Sequence, residues 1–140
     1  MIKMKNTQKA YIAGMIDGEG YVGLTRDNKN GRYRPRVVIS NCNLPLLEHI
    51  QTIIGGRLHK KSRSDRQYQG YNLAIRHFTE WLPQIVPYLV GKKNKAILLL
   101  EALEILAVRK KRTSASGNYG LQRLAEIDSI LRQKEWLVYL

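Results

Sequence analysis

Apolar residues recur along this chain in two rhythms, one close to the 3.6-residue turn of a helix and one alternating as in a strand. Residues 7–17 carry Ile12, Met15 and Ile16 at i, i+3 and i+4, a bulky stripe suited to the chain's own core. A second stripe on the same helix is small, with Ala10, Ala13, Gly14 and then Asp17 at the spacing of one face. Small side chains along a helix face let another backbone come close. Asn6 or Thr7 is the expected N-cap, and Gly18 or Gly20 the stop. The stripe runs out into Asp17-Gly18-Glu19-Gly20, which predicts a tight turn whose glycines leave a carboxylate uncrowded.

The strand rhythm follows. Residues 21–26 set Val22 and Leu24 against Tyr21, Gly23 and Thr25, which predicts a half-buried strand. A polar turn at 27–31 leads to a second strand over 32–39, with Arg32, Arg34 and Arg36 on one face and Val37 and Ile39 on the other. Pro35 has no amide donor and marks an irregular or unpaired position. Residues 43–54 return to helix through Leu46, Leu47, Ile50, Ile53 and Ile54, with Asn43 as cap and Pro45 in the tolerant first turn. Gly55-Gly56 stops it. A third strand over 57–64 places Arg57, His59, Lys61 and Arg63 on alternate positions, and a fourth covers 69–76 after a turn at 65–67.

A short helix over 78–85 closes at Pro87. A long helix over 92–110 uses Ala96, Leu99, Leu100, Leu103, Leu106 and Ala107 as its apolar stripe. Arg109-Lys110-Lys111-Arg112 closes it, where the helix dipole favours cations. Beyond a Ser/Gly loop at 113–117 come an amphipathic helix over 119–133 and a short apolar tail at 136–140. This order predicts an α+β fold, αββαββα. Two hairpins form one antiparallel sheet, with helices on its apolar face and the basic face open. The expected organisation is one domain over 1–140, with the αββαββα core in 7–110 and the C-terminal loop and helix in 111–140.

Composition narrows the function. The apolar stretch 96–108 falls short of a membrane span and carries Glu101 and Glu104. The opening residues show neither a signal peptide's apolar region nor an Arg/Ser-rich transit segment. Cys42 is the single cysteine, so no internal disulfide forms and a reducing, intracellular setting is expected. His49, His59 and His77 show no metal-ligand spacing. Lys and Arg number 24 against 11 Asp and Glu, a net charge of +13. That balance calls for a polyanion, usually nucleic acid, although a basic ribosome-type protein shares it. In such a chain, a carboxylate placed beside a close helix contact needs a reason.

The stretch Ile12-Ala13-Gly14-Met15-Ile16-Asp17-Gly18-Glu19-Gly20 resembles the signature of the LAGLIDADG homing endonuclease family, with Glu19 at its last acidic position. Other segments are similar too: Ile39-Ser40-Asn41 at the end of the second strand, Gly55-Gly56-Arg57-Leu58 opening the third, and the lysine-rich run 87–96 entering the long helix. The resemblance covers roughly residues 7–110. One signature implies a homodimer, with Ala10, Ala13, Gly14 and Asp17 at the interface and two Glu19 carboxylates side by side. Two such carboxylates need a divalent cation between them. Glu19 and the Gly18 carbonyl would hold Mg²⁺, with Mn²⁺ as a substitute, near the scissile phosphates. Asn41 matches the polar residue that organises water, and Lys92 the lysine that activates it or stabilises phosphate charge.

Two departures stand out. Leu44, Pro45, Leu46 and Leu47 offer none of the basic residues that some members place there, and Glu19 is longer than the aspartate of the family name. The implied activity is metal-dependent, site-specific cleavage of double-stranded DNA at a long pseudo-palindromic target, with intron or intein homing as its setting. An RNA maturase acting on its host intron RNA, or a non-cleaving DNA-binding regulator, would use the same scaffold. Strand parity puts Tyr21 and Thr25, then Arg32, Arg34 and Arg36, then Arg57, His59 and Lys61, and finally Gln69 and Tyr71 on the faces expected to read the major groove.

Overall fold

The computed structural model describes residues 1–62, 67–111 and 117–134. Arg63 and Ser64 of the expected third strand, the turn at 65–66, most of the loop at 113–117 and the tail at 136–140 lie outside the described residues. The first helix, α1, spans Asn6–Glu19. Its N-cap is Lys5 rather than Asn6 or Thr7. A lysine side chain cannot accept a hydrogen bond, so Gln8 reaches back instead and its Oε1 accepts the Lys5 N–H at 2.9 Å. At the other end α1 runs through Gly18 and Glu19, and the expected tight turn is absent. Gly20 caps the helix through its N–H to the Ile16 carbonyl and is already extended, at φ −92°. The next strand therefore starts at once. The reason for a glycine there is space: a Cβ on Gly20 would lie 2.7 Å from the Ile16 carbonyl oxygen and 2.8 Å from its Cα.

Strands β1 (Gly20–Arg26) and β2 (Tyr33–Asn41) are followed by α2 (Leu44–Ile54), β3 (Arg57–Lys60) and β4 (Tyr71–Ile75). The four strands form one antiparallel sheet in the order β1-β2-β4-β3. In the β2–β4 register Val38 faces Ala74, Ile39 faces Leu73, Ser40 faces Asn72 and Asn41 faces Tyr71. In β3–β4, Arg57 faces Ala74, Leu58 faces Leu73, His59 faces Asn72 and Lys60 faces Tyr71. Opposed residues share a face. Ser40, Asn72 and His59 therefore form one row across the sheet, and Ile39, Leu73 and Leu58 form a row on the opposite face.

The chain packs as two compact units. The first comprises Met1–Tyr21 and Arg36–Val90. Here α2, capped by the Asn43 side chain accepting the Leu46 N–H at 3.2 Å, packs on β3 and β4 through Leu47, Ile50 and Ile54. Gly55 ends α2 at φ +75°. The expected helix over 78–85 is broken into a 3-10 turn at Phe78–Glu80, α3 at Leu82–Ile85 and a second 3-10 turn at Val86–Tyr88. The break falls at Trp81, which is fully buried and donates its indole N–H to the Arg76 carbonyl at 2.8 Å. Pro83, which has no N–H to continue a helix from residue 79, falls in the first turn of α3, where proline is tolerated.

The second unit comprises Val22–Pro35 and Gly91–Leu140. It holds α4 (Lys93–Lys111) packed on α5 (Leu121–Leu131). The buried line of α4 is Ala96, Leu99 and Ala102, whereas the expected Leu100, Leu103 and Leu106 are only half-buried and Ala107 is exposed. Leu124, Ile127 and Leu131 supply the buried face of α5. Glu101 accepts from both Arg123 Nε and Nη2, the latter at 2.9 Å. These bonds hold its carboxyl below the ordinary carboxylate range. Among the described residues no helix is long and apolar enough to cross a membrane.

Candidate functional site

The last turn of α1 carries an electrostatic conflict. A helix ends in carbonyls without intrahelical partners and bears partial negative charge there. α1 places Asp17 and Glu19 at that end and no basic residue in its last turn. Asp17 has a partner inside its own unit: its Oδ2 accepts the Val90 N–H at 2.9 Å across 73 positions of sequence. Glu19 is exposed and is the final helical residue. The last turn itself supplies no basic side chain to offset this charge.

Beside Glu19 the helix surface is unusually bare. A Cβ added to Gly14 or Gly18 would meet nothing within 4 Å. With exposed Ala10 these glycines form a stripe at i, i+4 and i+8 on one face. Two of the four residues expected at a neighbour's contact, Ala10 and Gly14, are therefore open, and Asp17 is half-buried. Ala13 is 0% exposed and belongs to the inner face with Ile12 and Ile16, so the structure moves it into the chain's own core. Gly18 takes its place on the open stripe. The cause is geometric: at about 100° per residue, position 13 lies roughly 60° from Ile16 on the inner face but roughly 100° from Gly14, whereas 14 and 18 are only about 40° apart.

Asn41 ends β2 and is half-buried. Its Oδ1 accepts the Asn43 N–H at 2.8 Å, closing the turn into α2. This leaves its amide nitrogen as the donor for other groups. Lys92 directly precedes α4 in the second unit and is 8% exposed. Lys92, Lys93 and Lys95 crowd the N-terminal end of α4, where the dipole disfavours cations. Lys95 offsets this by donating to the Gln133 carbonyl at 2.6 Å, just past α5.

The expected reading residues separate into two groups. In the first unit Tyr21, Arg36, Arg57 and His59 are exposed, and the register puts Arg57 and His59 on the face of Ala74 and Asn72. In the second unit Arg32 and Arg34 are exposed and Thr25 is half-buried. The Thr25 hydroxyl donates to the Arg34 carbonyl at 3.4 Å, and Arg34 lies 3.9 Å from the Asp27 carboxylate. Lys61 follows β3, and its N–H bonds the Gly70 carbonyl at 2.9 Å. Two assignments change. Gln69 precedes β4, and its Nε2 donates to the Lys61 and Gly70 carbonyls, both at 2.8 Å, so its amide nitrogen is committed to the strand end. Tyr71 shares its face with Leu73 and Ile75, which are buried. The open face of β4 carries Asn72 and Ala74 instead. The signal was in the sequence, since Tyr71 has the parity of Leu73 and Ile75.

The LAGLIDADG endonuclease family model matches residues 12–103. The chain belongs to the LAGLIDADG endonuclease family. No curated protein matches it. Among solved structures, the archaeal intron-encoded homing endonuclease I-Vdi141I, complexed with DNA, is 20% identical with a TM-score of 0.70 and covers 96% of this chain and 94% of its own. The homing endonuclease I-CvuI, in complex with the I-CreI target in the presence of Mg with the DNA not cleaved, is 20% identical at a TM-score of 0.65, covering 89% and 80%. The meganuclease I-SmaMI bound to uncleavable DNA is 17% identical at 0.68, covering 93% of this chain and 46% of its own. At these identities the likeness is one of fold. This LAGLIDADG chain thus spans nearly all of I-Vdi141I and about half of I-SmaMI. Among its described residues no group of three His, Cys, Asp or Glu side chains is arranged to hold a metal ion.

Proposed function

We propose that this LAGLIDADG chain is a site-specific double-strand DNA endonuclease that works as a homodimer with a divalent metal ion, Mg²⁺ foremost. The observation that carries the proposal is the end of α1: an exposed Glu19 at the carbonyl terminus, alongside an open stripe of Ala10, Gly14 and Gly18. A second copy seated on that stripe brings a second Glu19 to the same place. Two carboxylates and two helix ends then require positive charge between them. The donors on offer, carboxylate and the Gly18 peptide oxygen, are hard oxygens of the kind Mg²⁺ and Mn²⁺ take. A divalent ion held there supplies Lewis acidity and neutralises phosphate charge.

The chain's own groups do the rest. Glu19 fixes where the charge sits. The Asn41 amide nitrogen donates to water or phosphate oxygen, its carbonyl oxygen being tied to the Asn43 amide. Lys92 supplies a compact positive charge for the developing phosphate charge. Arg34, Arg36 and Arg57 neutralise backbone phosphates, and with His59 they reach base edges. The DNA-bound state of I-Vdi141I, I-CvuI and I-SmaMI supports this reading.

The test uses a target recovered by selection from randomised duplex DNA. The protein is expected to cut that target on both strands with Mg²⁺ and to stop when the metal is chelated. Glu19→Gln removes the charge and keeps the shape, so it should bind the target within about twofold of wild type and cut it at least ~100-fold more slowly. Cleavage by Glu19→Gln at the wild-type rate overturns the proposed chemistry. Tighter binding to structured intron RNA than to any duplex would favour a maturase instead.

A further inference from the structure

Across the middle of the sheet, on the face opposite Leu73, runs the row Ser40, Asn72 and His59. Its central member is an asparagine whose two ends are not equivalent. The Ser40 hydroxyl donates to Asn72 Oδ1 at 2.5 Å. A free carboxamide has an oxygen that accepts and an NH₂ that donates twice, and either end could turn outward. Here the hydroxyl engages the oxygen, so the plane of the amide is set. The NH₂ makes no hydrogen bond to any described residue. Among the described residues, every side-chain nitrogen or oxygen that is fully buried has a partner. The unbonded Asn72 nitrogen therefore reaches solvent, on the face that also presents His59 and Arg57.

We infer that Ser40 and Asn72 form one base-reading unit that presents donors only and selects guanine at one position of each half-site. The inference rests on the endonuclease reading above. Asparagine commonly reads adenine by a bidentate contact in which its oxygen accepts from N6 and its nitrogen donates to N7. That contact needs both ends of the amide at the base edge. With the oxygen engaged by Ser40, only the NH₂ is presented. Guanine answers it best, because N7 and O6 are adjacent acceptors, whereas adenine sets a donor beside its single acceptor. A half-buried donor pair driven against a base edge without acceptors loses its water and gains nothing, so the wrong base is rejected as well as the right one held. Ser40 touches no base in this scheme; it is a positioning residue for Asn72.

The experiment profiles base preference at every position of the selected target, using the full-length protein and duplex pools randomised one position at a time. Wild type is expected to hold guanine at one position in each half-site. Asn72→Asp keeps the shape and can still accept from Ser40, but it presents acceptors only. It should lose the guanine preference by about tenfold and move to cytosine, whose N4 donates. Ser40→Ala releases the amide to turn and should admit adenine at that same position while leaving the others unchanged. Asn72→Asp retaining the wild-type preference at every position overturns the inference, as does Ser40→Ala leaving the profile unaltered. If wild type recovers no preferred duplex at all, the endonuclease reading fails and takes this one with it.

Discussion

At the scale of single residues, the proposed function sits where local rules are broken. An exposed glutamate at the carbonyl end of a helix opposes the dipole by a few tenths to ~1 kcal/mol, and Gly20 holds it there. A Cβ on Gly20 would press on the backbone of Ile16, at 2.7 Å from its oxygen, and backbone cannot yield as a flexible side chain does. Gly20→Ala is therefore expected to cost about 1–3 kcal/mol of folding free energy, read as a lower denaturation midpoint. The strain falls on the turn that carries Glu19, so cleavage by the folded fraction should drop at least ~10-fold. Unchanged cleavage would show that Glu19 is placed by something other than the Ile16–Gly20 contact. Glu19 itself was legible in the sequence from its setting between glycines. The job of those glycines was not: they read as a helix stop, and a close approach to a backbone atom four residues earlier leaves no trace in composition. Asn41 was legible as a strand-end turn residue, a role visible in its bond to the Asn43 amide; its water-organising role came only from the family resemblance.

At the scale of elements, α1 is a helix with two faces that obey different physics. Its inner face of Ile12, Ala13 and Ile16 is fully buried. Its open stripe keeps glycine at 14 and 18, where alanine would stabilise an ordinary exposed helix by about 0.5–1 kcal/mol. Gly14→Ala has nothing within 4 Å to strike among the described residues. It is expected to raise the melting temperature of dilute protein by a few degrees and to weaken self-association by about tenfold. Sedimentation at graded concentrations reads the second effect, and self-association equal to wild type would remove the stripe from the seam. The helical spacing in α2 and α5 made those elements readable, because each has one buried face; in β1 and β2 the alternation marked the strands, although 22–24 and 37–39 are each buried at three successive positions. The 78–88 segment was less readable. Its apolar residues suggest one helix, but Pro83 and Pro87 each fall in the first turn of a separate short helix, because neither can donate the N–H that one continuous helix would need. On β4 the misreading was of parity alone, since Asn72 lies between half-buried Tyr71 and buried Leu73, both of the opposite face.

At the scale of the whole molecule, the net charge of +13 acts on the two proposed associations with opposite sign. Two copies of this chain repel each other, and salt screens that repulsion over about 8–10 Å. The seam offered by Ala10, Gly14 and Gly18 carries no charge of its own, so nothing in it is weakened by screening. Self-association of the free protein should therefore strengthen as salt rises. Binding to duplex DNA should do the reverse, because each phosphate neutralised by Lys or Arg releases a counterion, and the affinity falls as a power of the salt concentration. With the exposed arginines of both copies engaged, the loss between roughly 50 and 200 mM salt should be about a thousandfold or more. Sedimentation without DNA and a duplex titration over the same salt series measure both trends on one preparation. Opposite slopes are what a small apolar seam inside a basic protein requires. If both associations weaken with salt, the copies are held by ion pairs and α1 is not where they meet. If neither depends on salt, the basic sheet face is not bound to phosphates, and the charge that first suggested nucleic acid serves some other end.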